Sequence, residues 1–200
     1  MKILIDIGHP AHVHYFRNMI NEMSLKGHSF CIVARDKEVT HELLNYYKIK
    51  YTSRGKGGKG FIGKLIYLFK ANYYIYKISK NFKPDILVSF ASPYAAQVSF
   101  IINKPHISFT DTEHAKLGNL AFSSFTKTIL TPNCLPINFG KKHIMFNGFM
   151  EQSYLHSKYF KPDIEIYDEL NISKNQKYII IRFVSWEASH DFGKQKLASN

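Results

Sequence analysis

The sequence predicts an α/β fold, a Rossmann-like parallel sheet flanked by helices, and three observations carry that prediction. Short apolar segments of strand length recur along the chain, among them KILIDI, SFCIVA, ILVSF and HISF. Segments with a helical apolar period separate them, which is the alternation of a parallel βαβ sheet. The first strand also runs straight into a turn, Gly8-His9-Pro10-Ala11, and then a helix start, so the N–H groups of that helix face the strand's end.

Taken in order, Lys2 to Ile7 is a buried strand with one internal charge, Asp6. Val13, Phe16, Ile20 and Met23 give the helical period of a segment ending near Lys26, and Gly27 stops it. Ser29 to Ala34 is a second strand, Asp36 to Tyr47 a second helix and Ile49 to Thr52 a short third strand. Arg54 to Gly63 then holds five glycines and three basic residues. Its spacing is not the Walker pattern, so it reads as a flexible basic loop rather than a nucleotide P-loop. A long aromatic helix is expected from Phe61 to Phe82. The strand Ile86 to Phe90 follows and ends in Ala91-Ser92-Pro93, which makes Ser92 a candidate substrate-binding residue at the strand edge. Tyr94 to Ile102 reads as a helix and His106 to Phe109 as a strand. The polar run Thr110-Asp111-Thr112-Glu113-His114 comes next, where a parallel sheet binds its ligands. A helix over Ala115 to Phe125, strands at Thr128 to Leu130 and Ile144 to Phe146, and a helical piece at Glu165 to Leu170 complete the series. Tyr178 to Val184 is one more apolar strand and leads into a polar loop ending at Asp191.

Formal net charge is +12, from 27 Lys and Arg against 15 Asp and Glu, so polyanionic partners are favoured. Between Glu42 and Asp85 there are ten Lys and Arg and no acidic residue. Either the aromatic helix has a core face and a solvated basic face, or residues 54–83 lie on an anionic membrane. No nucleic-acid motif accompanies the charge, so nucleic acid is not an expected partner. Cys31 and Cys134 form no CxxC pair, and no segment has the composition of a secretory leader or a membrane span. A cytoplasmic protein is the expectation, peripheral on the inner membrane face if residues 54–83 meet the bilayer.

The densest set of reactive groups is the first turn, with Gly8, His9, His12 and His14. His9, His12 and His14 sit on a turn and a helix start and do not share a face, so no metal site is expected there. Asp111 reads equally as the cap of the next helix or as a functional carboxylate; Glu113 and His114 do not read as caps.

GHPAHVH after the first strand, ARDKE after the second, TDTEHA after the fifth, NGFME and RFVSWEASHD together resemble a prokaryotic family, domain of unknown function 354. Its members look like two-domain glycosyltransferases of the GT-B architecture. They are related to UDP-N-acetylglucosamine 2-epimerase and to the peptidoglycan N-acetylglucosaminyl transferase. The resemblance implies an N-terminal, acceptor-side Rossmann-like domain over residues 1–150 and an interdomain connector over 151–176. An incomplete nucleotide-sugar-binding domain, truncated after its first strand, would occupy 177–200. It places His12 where the transferase has a cleft histidine, with Pro10-Ala11 replacing paired glycines, and Glu113 where the epimerases have a glutamate. His12, Asp111, Glu113 and His114 are the expected catalytic set, His12 as general base. Gly8, His9, His14 and Ser92 would bind substrate from one side, and Arg182, Ser185, Glu187, Ser189 and His190 from the other. No cofactor or metal is implied; the donor would be a nucleotide sugar, a UDP-sugar. The reading that follows is a glycosyltransferase of surface-polysaccharide or glycolipid synthesis. A nucleotide-sugar 2-epimerase is the second reading. A non-catalytic fragment that associates with a separate C-terminal half is the third.

Overall fold

The computed structural model describes residues 1–113 and 116–181. The chain divides into two compact units, Met1–Tyr159 and Phe160–Asn200. The first holds a seven-stranded sheet in the order β3-β2-β1-β4-β5-β6-β7, with every neighbouring pair parallel. The strands are β1 Lys2–Ile7, β2 Ser29–Asp36, β3 Thr52–Lys56, β4 Ile86–Phe90, β5 His106–Phe109, β6 Thr128–Pro132 and β7 His143–Phe146. The order reverses between β1 and β4, which is the switch point where open α/β sheets take ligands.

The two-residue period of β1 sorts its side chains between two cores. Ile3, Ile5 and Ile7 face one side with Ile32, Ala34 and Val88. There they meet Val13 and Phe16 of α1 (Pro10–Leu25) and Leu44 of α2 (Thr40–Tyr46). Leu4 faces the other side with Val33 and Leu87, against Ile75 of α3 (Gly60–Phe82) and Ala95 and Val98 of α4 (Pro93–Ile101). Asp6 follows Leu4 by two and so points into the α3–α4 side. A third core joins Ala96, Ile129 and Phe122, the last on α5 (Lys116–Ser123).

Two elements fall elsewhere than the sequence suggests. The third strand is Thr52–Lys56, not Ile49 to Thr52. Ile49 and Tyr51 supply the apolar signal, but their side chains pack into the α1–α2 core below the strand. Arg54 to Lys56 is therefore sheet rather than loop, and β2 continues to Asp36, opposite Lys56, past a bulge. The second helix accordingly begins at Thr40. The first unit also runs beyond residue 150. The turn α6 (Gln152–Leu155) lies on α1, where Asn18 Nδ2 donates to the Ser153 carbonyl at 2.8 Å.

In the second unit, α7 (Ile166–Glu169) is a single turn, and the Tyr167 and Tyr178 rings are 6.4 Å apart. Tyr178–Ile181 carries no strand pairing, and the rest of the anticipated strand lies outside the described residues. No helix among the described residues is long and apolar enough to cross a membrane.

Candidate active site

At the switch point the sheet holds a buried ion pair. Asp6 is 0% exposed and Arg54 2% exposed. Arg54 Nε donates to Asp6 Oδ1 at 2.8 Å and Nη2 to Oδ2 at 3.3 Å. Nη1 donates to the Tyr67 hydroxyl, and the guanidinium lies 4.7 Å from the Tyr94 ring centroid. Burial opposes the Arg54 charge, but Asp6, Tyr67 and Tyr94 together more than offset this, and the guanidinium pKa stands above its ordinary value. Ser92 caps α4 by accepting from the Ala95 N–H at 3.2 Å and gives its hydroxyl proton to Asp6 Oδ2 at 2.5 Å.

A chain of hydrogen bonds continues from Ser92 across β4 and β5 to the loop before β6. The Ser92 N–H donates to Ser89 Oγ at 3.2 Å, and Ser89 Oγ lies 2.9 Å from His106 Nε2. His106 Nδ1 is 2.9 Å from Thr126 Oγ1, whose proton goes to the Phe122 carbonyl at 2.7 Å. That last bond fixes every direction: Thr126 accepts from Nδ1–H, so Nε2 accepts from the Ser89 hydroxyl. Burial drives the His106 pKa down to about 3, so the ring is neutral. The chain holds the β4–α4 loop, where Ala91 sits at a left-handed φ of 48°. The Ala91 N–H is shared between the Phe109 carbonyl at 2.9 Å and Ser108 Oγ at 3.1 Å, which offsets the strain of a Cβ in that region.

The first turn lies beside this network. A Cβ added at Gly8 would stand 3.7 Å from Arg54 Nη2 and 3.8 Å from His12 Cε1, so ion pair and imidazole meet at this glycine. His9 caps α1 by accepting from the Ala11 N–H at 3.2 Å. His12 Nδ1 accepts from the Gly8 N–H at 3.2 Å. Burial, with His9, Lys37 and Arg54 adding to it, lowers the His12 pKa to about 3. A neutral ring whose Nδ1 accepts must carry its proton on Nε2, so His12 presents a donor rather than a free base.

The His12 ring lies 4.8 Å from Phe90 and 6.3 Å from Tyr15. The Tyr15 hydroxyl is 3.5 Å from Glu151 Oε1, and its pKa is raised by burial, then by Asp111 and Glu151. Asp111, at the end of β5, also has a raised pKa, from burial first and then from the Glu151 and Glu113 charges against its bond from Thr112. Gly8, His9 and His12 thus meet at the first turn, with Ser92 joined to them through Asp6 and Arg54, and Asp111 through Tyr15. His14 does not join them: its ring rests against Tyr47 and Tyr154, at 5.7 and 5.3 Å. Glu113 is half-buried beyond Asp111. His114, Arg182, Ser185, Glu187, Ser189 and His190 lie outside the described residues. No metal-ligand cluster of His, Cys, Asp and Glu is present among the described residues.

Sequence reasoning missed Arg54, Tyr15 and Glu151 as parts of this place. Asp6 alone carried a signal, a charge inside a strand otherwise buried.

Comparison with known proteins gives a consistent picture. A family model described as "Protein of unknown function (DUF354)" matches residues 1–196. An uncharacterised protein of Methanocaldococcus jannaschii is 27% identical over 190 residues, which are 91% of this chain and 56% of the relative. MurG of Acinetobacter baumannii superposes with a TM-score of 0.61 at 13% identity, over 72% of this chain and 45% of its own. UDP-GlcNAc 2-epimerase of Methanocaldococcus jannaschii gives 0.61 at 12% identity, over 78% and 48%. The Neisseria meningitidis 2-epimerase, solved bound to UDP-GlcNAc, gives 0.59 at 15%, over 78% and 48%. The chain spans about half the length of these proteins. At such identities the likeness is one of fold, the Rossmann-like half of GT-B proteins.

Proposed function

The chain belongs to the DUF354 family, and from that premise we propose that it supplies the acceptor-side domain of a GT-B-type glycosyltransferase using a nucleotide-sugar donor. The observation that carries the reading is a neutral imidazole donor at the switch point, stacked on Tyr15, with a carboxyl of raised proton affinity after β5 acting on the same tyrosine. Sugar transfer needs a base for the acceptor hydroxyl and donors for oxygens that gain charge. His12 Nε2–H serves the second task, and Asp111 the first. This exchanges the roles the sequence suggests, because a ring with a pKa of about 3 holds a proton too weakly to act as the base. The proposed donor is a UDP-sugar, a reading supported by the likeness to a 2-epimerase solved with UDP-GlcNAc, and surface-polysaccharide or glycolipid synthesis is the proposed setting.

The test is to incubate the full-length protein with labelled UDP-N-acetylglucosamine, with and without acceptor extracts. Transfer should fall by roughly 100-fold in His12→Ala and recover in part in His12→Gln, whose amide keeps an N–H donor. Equal loss in both variants would return His12 to the role of base. Release of the 2-epimer without any acceptor would favour the epimerase reading, with Asp111 and Glu113 moving the proton.

We also propose that α3 rests on an anionic membrane. Phe61, Ile62, Leu65, Ile66, Phe69 and Tyr73 are exposed along it, while Tyr67, Ala71 and Ile75 face inward. Exposed apolar side chains beside lysines match a bilayer surface, where each basic residue near anionic lipid contributes about 1 kcal/mol. The triple change Lys64→Glu, Lys70→Glu and Lys77→Glu should abolish co-sedimentation with phosphatidylglycerol vesicles; undiminished binding would mean that α3 only covers the sheet.

A further inference from the structure

The glycine-rich run after β3 has a use that neither the ion pair nor the first turn accounts for. Arg35, near the end of β2, lays its guanidinium against the backbone of Gly57. A Cβ at Gly57 would fall 1.9 Å from Arg35 Nη2 and 2.4 Å from Cζ, so only glycine admits the side chain there. One residue on, a Cβ at Gly58 would fall 1.8 Å from the Gly63 carbonyl oxygen, so the loop is folded back on the first turn of α3 by backbone contact. The guanidinium also lies 5.8 Å from the Tyr67 ring, whose other cationic neighbour is Arg54 at 5.5 Å.

Arg35 is thus held in place but not neutralised. Its Nε is buried and has no hydrogen-bond partner, and Arg35 forms no ion pair among the described residues. The nearby carboxylates are engaged elsewhere. Asp6 is bound by Arg54 and Ser92, Glu38 lies 3.4 Å from Lys37, and Asp36 lies 3.9 Å from His41. After burial, Lys37 presses the His9 pKa down, Glu38 raises it and Arg35 lowers it, which places two positive charges and one carboxylate in one neighbourhood. A guanidinium held by its cradle without an ion-pair partner, with a buried N–H lacking an acceptor, is an arrangement that a multivalent oxyanion completes.

We infer that Arg35 on its Gly57 cradle is a binding site for the phosphate group of a small phosphorylated molecule, at the ends of β2 and β3. The site stands on the layout of charge and does not depend on sugar transfer. Its ligand enters beside the first turn, so a phosphorylated substrate would reach that turn with its anionic end on Arg35.

The experiment titrates inorganic pyrophosphate into the full chain and follows arginine Nε–H signals by NMR. A saturable shift of the Arg35 signal is expected. Arg35→Gln should weaken binding by at least about tenfold, the loss of one charge-assisted contact. Gly57→Ala should weaken it comparably by displacing the guanidinium, with thermal unfolding showing both variants folded. Wild-type affinity in folded Arg35→Gln would overturn the proposal, as would the absence of saturation in the wild type. Phosphatidylglycerol vesicles form the second arm. If Arg35→Gln lost vesicle binding but kept pyrophosphate binding, the site would read a lipid headgroup and the inference would fail.

Discussion

Asp6→Asn is expected to lower the unfolding free energy by about 3–5 kcal/mol, the range for leaving one member of a buried ion pair without its partner. The reason lies in what remains. Arg54 would keep its charge in a place where it is 2% exposed, with two aromatic rings beside it and no other carboxylate bonded to it. Ser92 would lose the acceptor for its hydroxyl while still capping α4. The double variant Asp6→Leu, Arg54→Met removes both charges and should recover most of that loss, since apolar replacement of a buried pair is often neutral. Urea unfolding of Asp6→Leu, Arg54→Met and the double variant measures the coupling. If Asp6→Asn cost less than about 1 kcal/mol, the pair would have to be solvated rather than buried.

The second large effect is acid sensitivity. His12 and His106 each have a folded pKa of about 3, well below the unfolded value of 6.5. The unfolded chain therefore takes up protons first as the pH falls. The stability these rings contribute is whole above pH 6.5 and is lost progressively down to about pH 3. At pH 5 the loss is about 2 kcal/mol for each ring. Asp111 works the other way, because a carboxyl whose pKa is raised on folding gains stability as acid is added, so the net loss is smaller than the two histidines alone would give. Unfolding midpoints at pH 7 and pH 5 should differ clearly in the wild type, and the difference should shrink in His106→Asn. Equal midpoints at the two pH values would mean that neither ring is held neutral.

Much of the fold could be read from the sequence because its strands are buried on both faces. β1, β4 and β5 occupy the residues anticipated, and the turn after β1 leads into α1 as its glycine and proline suggest. The third strand could not be read so well. Glycines and charges between Arg54 and Gly63 have the composition of a loop, yet an edge strand needs only one partner, and β2 supplies it. What makes Arg54 an interior residue is Asp6, 48 positions earlier, and no local pattern encodes that meeting. The site was legible in its first turn and less so in its chemistry. Three histidines within six residues look equivalent in a sequence. On the helix, His9 becomes a cap, His12 a backbone-bonded donor and His14 a ring packed between tyrosines. Glu151 and Tyr15 meet across 136 positions, which leaves no trace in either segment.

The directed chain from Ser92 through Ser89, His106 and Thr126 bears on how this protein can change over time. Each member depends on its neighbour's proton lying on one side, so a replacement at one position strands a donor or an acceptor at the next. A single apolar replacement at Ser89, His106 or Thr126 therefore leaves a buried donor or acceptor unpaired, although the three are 17 and 20 positions apart in sequence. Only a joint exchange for an apolar set would leave no group unpaired, and as it stands the chain ties the β4–α4 loop to β5.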